Sequence, residues 1–162
     1  MLKTLLSLVG ILYDCFFWLF ICLLFMFFVV LASAYVCTAE TPPDRLIKAI
    51  EEVESGGNTS AVGDRHLSDK AYGCLQIRQP CVDDYNRWHK TNYRAEQMLG
   101  NYELSIAICR EYIDYYAIER RIGREPTLQD MARIWNGGPN GYKKPSTKKY
   151  WEKVKEVLKT EK

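Results

Sequence analysis

Histidine is scarce: the 162 residues include two, His66 and His89, and they do not form a ligand pair. Six cysteines are present, but Cys74 and Cys81 stand seven apart and no zinc-binding spacing occurs. Neither a metal centre nor any cofactor is expected. Excess charge is missing as well. From Cys37 onward 21 basic residues face 19 acidic ones, once Lys3 and Asp14 are set aside from the totals of 22 and 20. That balance excludes a strongly basic nucleic-acid binder. Internal repeats and low-complexity tracts are also absent, so the chain is not a solenoid or an array.

Charge vanishes altogether between Cys15 and Ala39. The core of that run, "FFWLFICLLFMFFVVLASAYV" from Phe16 to Val36, would as a helix of about 1.5 Å per residue match the ~30 Å hydrocarbon core of a bilayer. Ala32, Ser33 and Ala34 have the small-x-small form of a signal-peptidase site. The run nevertheless exceeds the about 7 to 15 residues of a signal-peptide apolar region, which favours an uncleaved single-pass anchor over a leader removed after Ala34. Lys3 and the N-terminal amine lie on one flank, and Glu40, Asp44 and Arg45 on the other. The positive-inside bias then keeps the N-terminus cytoplasmic and the rest of the chain outside under either reading. The expected organisation is an anchor or signal segment over 1–40 and one monomeric domain over 41–162, within the usual domain size of ~100 to 150 residues. Outside the cytoplasm Cys37, Cys74, Cys81 and Cys109 can form disulfides, in any of three full pairings.

"TPP" at 41–43 breaks the chain before the domain, and Asp44 can cap a helix in which Leu46, Ile47, Ile50 and Val53 recur at helical spacing until Gly56 and Gly57 stop it. The stretch "AVGDRHLSDKAYGCLQIR" reads as a small hairpin or loop pair. Pro80 opens a short helix through about Trp88. A longer helix spans about Tyr102 to Ile122, with Leu104, Ile108, Tyr112, Tyr115 and Ile118 on one face and Gly123 as its stop. Thr127 and Asp130 resemble a capping pair for a helix ending at "WNGGPNG", and Ser146 can cap a last helix bearing Tyr150, Val154, Val157 and Leu158. The fold class is α+β, mainly helical, with one small β-hairpin. Eight lysines crowd the final twenty residues; they form a solvated helix face or are drawn to an anionic surface such as a cell wall.

Glu54 is chemically conspicuous. It ends the first helix, where the partial negative charge of the C-terminus disfavours a carboxylate, and is followed by Ser-Gly-Gly-Asn. Helix-end position and partial burial both raise a glutamate's pKa. Cleavage of a glycosidic bond requires such an acid, still protonated near neutral pH, to donate to the leaving oxygen. The glycines beyond it leave room for a sugar ring close to the main chain. A glutamate before Gly-Gly is also a common solvated helix end, and it is the ordered set "VESGGN", "AVGD", "AYGCLQI" and "MARIWNGGPNG" that favours the catalytic reading.

That set resembles the lysozyme-like superfamily of muramidases and lytic transglycosylases. Glu54 with Ser55 resembles the "ES" that contains the catalytic acid, and "YGCLQI" resembles the "GLMQI" strand of the sugar cleft. "ARIWNGGPNGY" resembles both the "AYNAGPG" element of transglycosylases and the "ARIHNGGPNG" element of invertebrate-type lysozymes, whose following segment "STKKYWEKV" also resembles. The resemblance covers about Asp44 to Leu158. It implies a lysozyme-like fold acting on peptidoglycan glycan strands, with Glu54 as general acid and Gln76, Trp135, Asn136 and Gly137 bordering the sugar. Tyr72 is either a platform for the sugar or a packing ring, and Trp135 could equally be a core residue.

The second carboxylate is open. Asp64 resembles an aspartate of goose-type enzymes that helps hold water, while the position used by invertebrate-type enzymes is occupied by His66; Asp69 is the reserve, and either aspartate could instead cap a turn. Goose-type enzymes carry an acid just beyond the cleft strand, where this chain has "IRQP". Transglycosylases dispense with a second carboxylate, because a substrate hydroxyl closes on the anomeric carbon. A glycan-binding module without turnover is the alternative reading. An isopeptidase would lack an evident nucleophile, since Cys74 is the sole nearby thiol. "NTS" at Asn58–Ser60 has the form of an N-glycosylation acceptor, and a glycan there would obstruct the cleft.

Overall fold

The computed structural model describes residues 17–27 and 42–160, which fall into two separate units, Met1–Glu40 and Thr41–Lys162. In the first, residues 17–27 form a helix, α1, whose large side chains are exposed. Among the described residues no helix is long and apolar enough to cross a membrane. The described residues hold only part of the run Phe16–Val36 over which a spanning helix is expected. The rest of that run, with the Ala32–Ala34 triplet, Lys3, Glu40 and Cys37, lies outside the described residues.

The second unit is mainly helical: α2 (Pro42–Ser55), a two-stranded antiparallel hairpin of β1 (Val62–Gly63) and β2 (Ala71–Tyr72), α3 (Gln79–His89), α4 (Tyr102–Tyr116), α5 (Glu119–Ile122), α6 (Leu128–Gly137) and α7 (Lys148–Thr160). Short 3₁₀ turns lie at Ala95–Met98, Gly141–Lys143 and Pro145–Thr147. The fold class and the single hairpin expected from the sequence are both present.

Amphipathic spacing explains the packing. Leu46, Ile47, Ile50 and Val53 put one face of α2 against α7 and α6, and Leu46, Ile50, Leu75, Ile77, Met98, Ile108, Ile134 and Val154 are fully buried between the helices and the hairpin. Burying each such aliphatic side chain contributes about 1.5–3 kcal/mol. The outer face of α7 is solvated, as its lysines suggest: Lys148, Lys149, Lys153 and Lys159 are exposed, and Lys155 and Lys159 pair with Glu152 and Glu156 one turn back.

Three expectations differ from the structure. The helix beginning at Tyr102 ends at Tyr116 and resumes only as the single turn α5. No glycine or proline lies at Ala117 or Ile118, and Tyr116 and Ala117 are buried in the core at the break. Tyr115 is 53% exposed rather than on the buried face and stacks on Trp88 at 4.3 Å, while Cys109, Ile113 and Tyr116 take the inner positions. Disulfides form the third difference. Among the described residues every cysteine is a free thiol, and Cys74 and Cys109 are packed in the core. Burial pushes the thiol of Cys74 up to about 11 and that of Cys81 up to about 12, so neither is a nucleophile at neutral pH.

The capping pair at α6 is realised. Thr127 accepts from the Asp130 N–H, and Asp130 accepts from Thr127 N–H at 3.0 Å and Thr127 Oγ1 at 2.6 Å. Arg124 adds a bidentate pair at 2.6 and 3.0 Å. Burial alone would push the Asp130 pKa up, but the bonds from Arg124 and Thr127 outweigh it and hold the carboxyl below its usual range. A folded pKa below the unfolded one gives stability that is present above about pH 4 and lost as pH falls through the folded value. Asp130→Ala is therefore expected to cost about 1–2 kcal/mol at pH 7, with the difference from wild type shrinking in urea titrations repeated near pH 3.

Candidate active site

A cleft of about 450 Å³ opens between the end of α2, the hairpin, the start of α3 and the end of α6. Its lining includes Glu54, Asp64, Gln76, Arg78, Tyr112, Trp135 and Asn136. That size lies within the range of small-ligand sites.

Glu54 reaches the cleft because it falls in the last turn of α2, where Ser55 ties the helix end to the hairpin by donating its hydroxyl to the Cys74 carbonyl at 2.8 Å. From the far side α7 brings Tyr150, whose hydroxyl donates to Glu54 Oε1 at 2.8 Å. Desolvation pushes the Glu54 pKa up and prevails over the opposing effects of the Tyr150 hydrogen bond and of the Arg78 and Lys153 charges; the Asp64 charge adds to the rise. The Tyr150 phenol is itself pushed far up by burial and by Glu54, so it stays protonated and donates to Oε1. With Oε1 committed to that bond, Oε2 is the oxygen available to carry the acidic proton.

Gln76 has a left-handed backbone (φ 50°), and its Nε2 donates to the Gly73 carbonyl at 2.9 Å. Its carbonyl end lies against β1: a Cβ added at Gly63 would stand 2.0 Å from Oε1. A side chain in place of the glycine of "AVGD" would thus displace the end of the cleft glutamine. Asp64, next along, is also left-handed (φ 46°), a conformation that aspartate tolerates better than most residues; it is exposed and forms an ion pair with Arg78. Asp69 is not on the cleft wall; its backbone carbonyl accepts from Arg78.

Trp135 and Asn136 sit in the last turn of α6, and Trp135 meets Tyr112 edge-on at 5.9 Å. Two of the residues expected at the sugar are not in the lining of this cleft. Tyr72 is bonded through its backbone to Ile77 at 2.9 and 3.0 Å and packs half-buried against the core. Gly137 faces the loop after α6: a Cβ there would meet Thr147 at 2.5 Å, and its carbonyl accepts from Lys144 Nζ at 2.6 Å. Sequence reasoning missed Arg78, Tyr112 and Tyr150 as parts of the site. The tyrosines read as helix-face packing residues, and a phenol among aliphatic positions was the one available signal. Among the described residues no group of three or more His, Cys, Asp or Glu side chains could hold a metal ion.

No family model matches the chain. A lysozyme from Magallana gigas is 30% identical over 128 residues, 78% of this chain and 88% of that protein. A lysozyme from Ostrea edulis is 29% identical over 121 residues, 74% and 83%. Among solved structures, an inhibitor-bound lysozyme from Meretrix lusoria superposes with a TM-score of 0.55 at 26% identity, over 70% of this chain and 88% of that one. The Tapes japonica lysozyme superposes with a TM-score of 0.58 over the same shares and, at 24% identity, bears on the fold alone. From an acid at a helix end, a hairpin-walled cleft and this degree of likeness over most of each relative, it follows that the chain belongs to the lysozyme family of glycosidases, with invertebrate-type lysozymes as its relatives.

Proposed function

We propose that the domain cleaves the β-1,4 bond between N-acetylmuramic acid and N-acetylglucosamine in peptidoglycan, with Glu54 as the general acid. One observation carries this reading: Glu54 lines a cleft of sugar-binding size with its pKa raised by desolvation and one oxygen held by a neutral phenol. Glu54 gives its proton to the glycosidic oxygen, which leaves with the electron pair of the breaking C–O bond. Asp64 supports the positive charge that develops at the anomeric carbon or positions the incoming water, and Gln76, Trp135 and Asn136 hold the glycan. No cofactor enters the scheme.

The reaction then closes in one of two ways. Water attacks in a muramidase, and the substrate's own hydroxyl attacks in a lytic transglycosylase. Names of the relatives support the first. The substrate lies outside the cytoplasm, and the uncharged run from Cys15 to Ala39 supports a membrane tether or an export leader for the domain.

Mass analysis of the ends released from purified wall tests the proposal. Hydrolysis leaves reducing ends one water heavier than the anhydro ends of transglycosylation. Wall that binds the protein yet releases neither kind of end would instead identify a glycan-binding module.

A further inference from the structure

Arg78 follows the bridge between Tyr72 and Ile77 and is the residue that caps the start of α3, with extended backbone (φ −107°, ψ 159°). Its guanidinium lines the cleft. Nη2 donates to Asp64 Oδ2, Nη1 donates to the backbone carbonyl of Asp69, and the Asp69 carboxylate lies 3.9 Å from Nη1. One planar cation therefore clamps both ends of the loop that joins β1 to β2. Residues 64–68 of that loop are exposed, and each flanking strand is only two residues long, so the ladder itself does little to hold Asp64 in place. A left-handed aspartate at the loop's start adds a backbone cost that the surroundings must offset. The ionisable groups facing Arg78 are Asp64, Asp69 and, through charge, Glu54.

We infer that Arg78 is a positioning residue for the proposed reaction: by bridging Asp64 and Asp69 it holds the second carboxylate at the wall of the cleft that Glu54 also lines. The inference rests on the glycosidase reading of that cleft. A fork with two donors in one plane is needed to reach a carboxylate and a carbonyl together, which an ammonium cannot reproduce.

The test compares wild type with Arg78→Ala, Arg78→Lys, Asp64→Asn and the Arg78→Ala/Asp64→Asn double variant on purified peptidoglycan. Arg78→Ala lowers kcat by about 10²-fold, the usual consequence of a misplaced catalytic group, with little change in KM; Arg78→Lys falls between. Guanidinium ion at millimolar concentration restores turnover to Arg78→Ala and not to Asp64→Asn, and the double variant is no slower than the slower single one. A wild-type kcat in Arg78→Ala, a loss confined to KM, or losses that multiply in the double variant overturns the inference.

Hydrogen exchange supplies a readout independent of turnover. Amides of residues 64–70 exchange faster in Arg78→Ala while those of α2 and α4 do not, and unchanged exchange in the loop overturns the inference by itself. A wild-type protein that releases no sugar ends is a failure of the glycosidase reading, and the exchange experiment then decides separately whether Arg78 holds Asp64 in place.

Discussion

Glu54→Gln is expected to lower peptidoglycan turnover by about 10²- to 10⁴-fold, the share that a positioned acid contributes to such a step, while binding of the glycan persists. Glutamine keeps the shape of the side chain, and its Oε1 can still accept from Tyr150, as Glu54 Oε1 does at 2.8 Å. What it lacks is a proton to give. The loss should not come from unfolding, and the sign of the pKa shift says why. Folding raises the Glu54 pKa, chiefly through desolvation, so between the unfolded value near 4.3 and the folded one the native state binds more protons than the unfolded state. Stability then falls as pH rises through that interval, and at neutral pH the glutamate is a liability that glutamine removes. The variant should melt at or above the wild-type temperature while releasing far fewer sugar ends. Activity of the wild type is lost as pH rises through the raised Glu54 pKa, because the acid form disappears. A variant that still cleaves at the wild-type rate removes Glu54 from the mechanism.

Gly141→Ala is expected to be the most destabilising single-methyl change near the site. A Cβ at this position would lie 1.8 Å from the carbonyl oxygen of Arg133 and 2.7 Å from its carbon. Both are main-chain atoms in the middle of α6, so no rotamer change relieves the contact. Gly141 also anchors the turn after α6: its N–H donates to the Gly138 carbonyl at 2.7 Å, and its own carbonyl accepts from Thr147 at 2.8 Å. Arg133, buried, donates to Thr147 and to the Lys144 carbonyl, both at 2.9 Å, so a displaced turn strains a connected set of buried polar groups. Overpacking usually costs about 1–3 kcal/mol; with backbone on both sides the upper end is expected, a fall in Tm on the order of 10 °C. Trp135 and Asn136 lie in the last turn of the same helix, so activity should fall in parallel with folded fraction. An alanine variant that melts like wild type would mean that the turn has an alternative packing.

Much of this architecture is legible in the sequence. Apolar residues at helical spacing marked α2, α6 and α7, Gly56 and Gly57 marked the end of α2, and Thr127 with Asp130 marked the start of α6, because those signals are local: a cap bonds within one turn, and an amphipathic face needs only the 3.6 period. Glu54 was legible for the same reason, since its unusual place follows from the helix it ends. Local pattern failed where packing decides. The chain breaks after Tyr116 with no glycine or proline to announce it, and Tyr115 turns outward onto Trp88. Cysteines that composition allowed to pair lie in an apolar core as free thiols.

By itself, then, the sequence determined the mainly helical class, the hairpin and the place of Glu54 at the end of a helix, all of which rest on interactions within a few residues of one another. Which groups surround that acid was decided only by the tertiary structure. Tyr150 reaches Glu54 across 96 residues of chain and Arg78 reaches Asp64 across 14; no periodicity encodes such pairings. They arise when burial of the apolar faces of α2, α6 and α7 brings distant segments together and leaves their polar side chains to bond with whatever lies opposite.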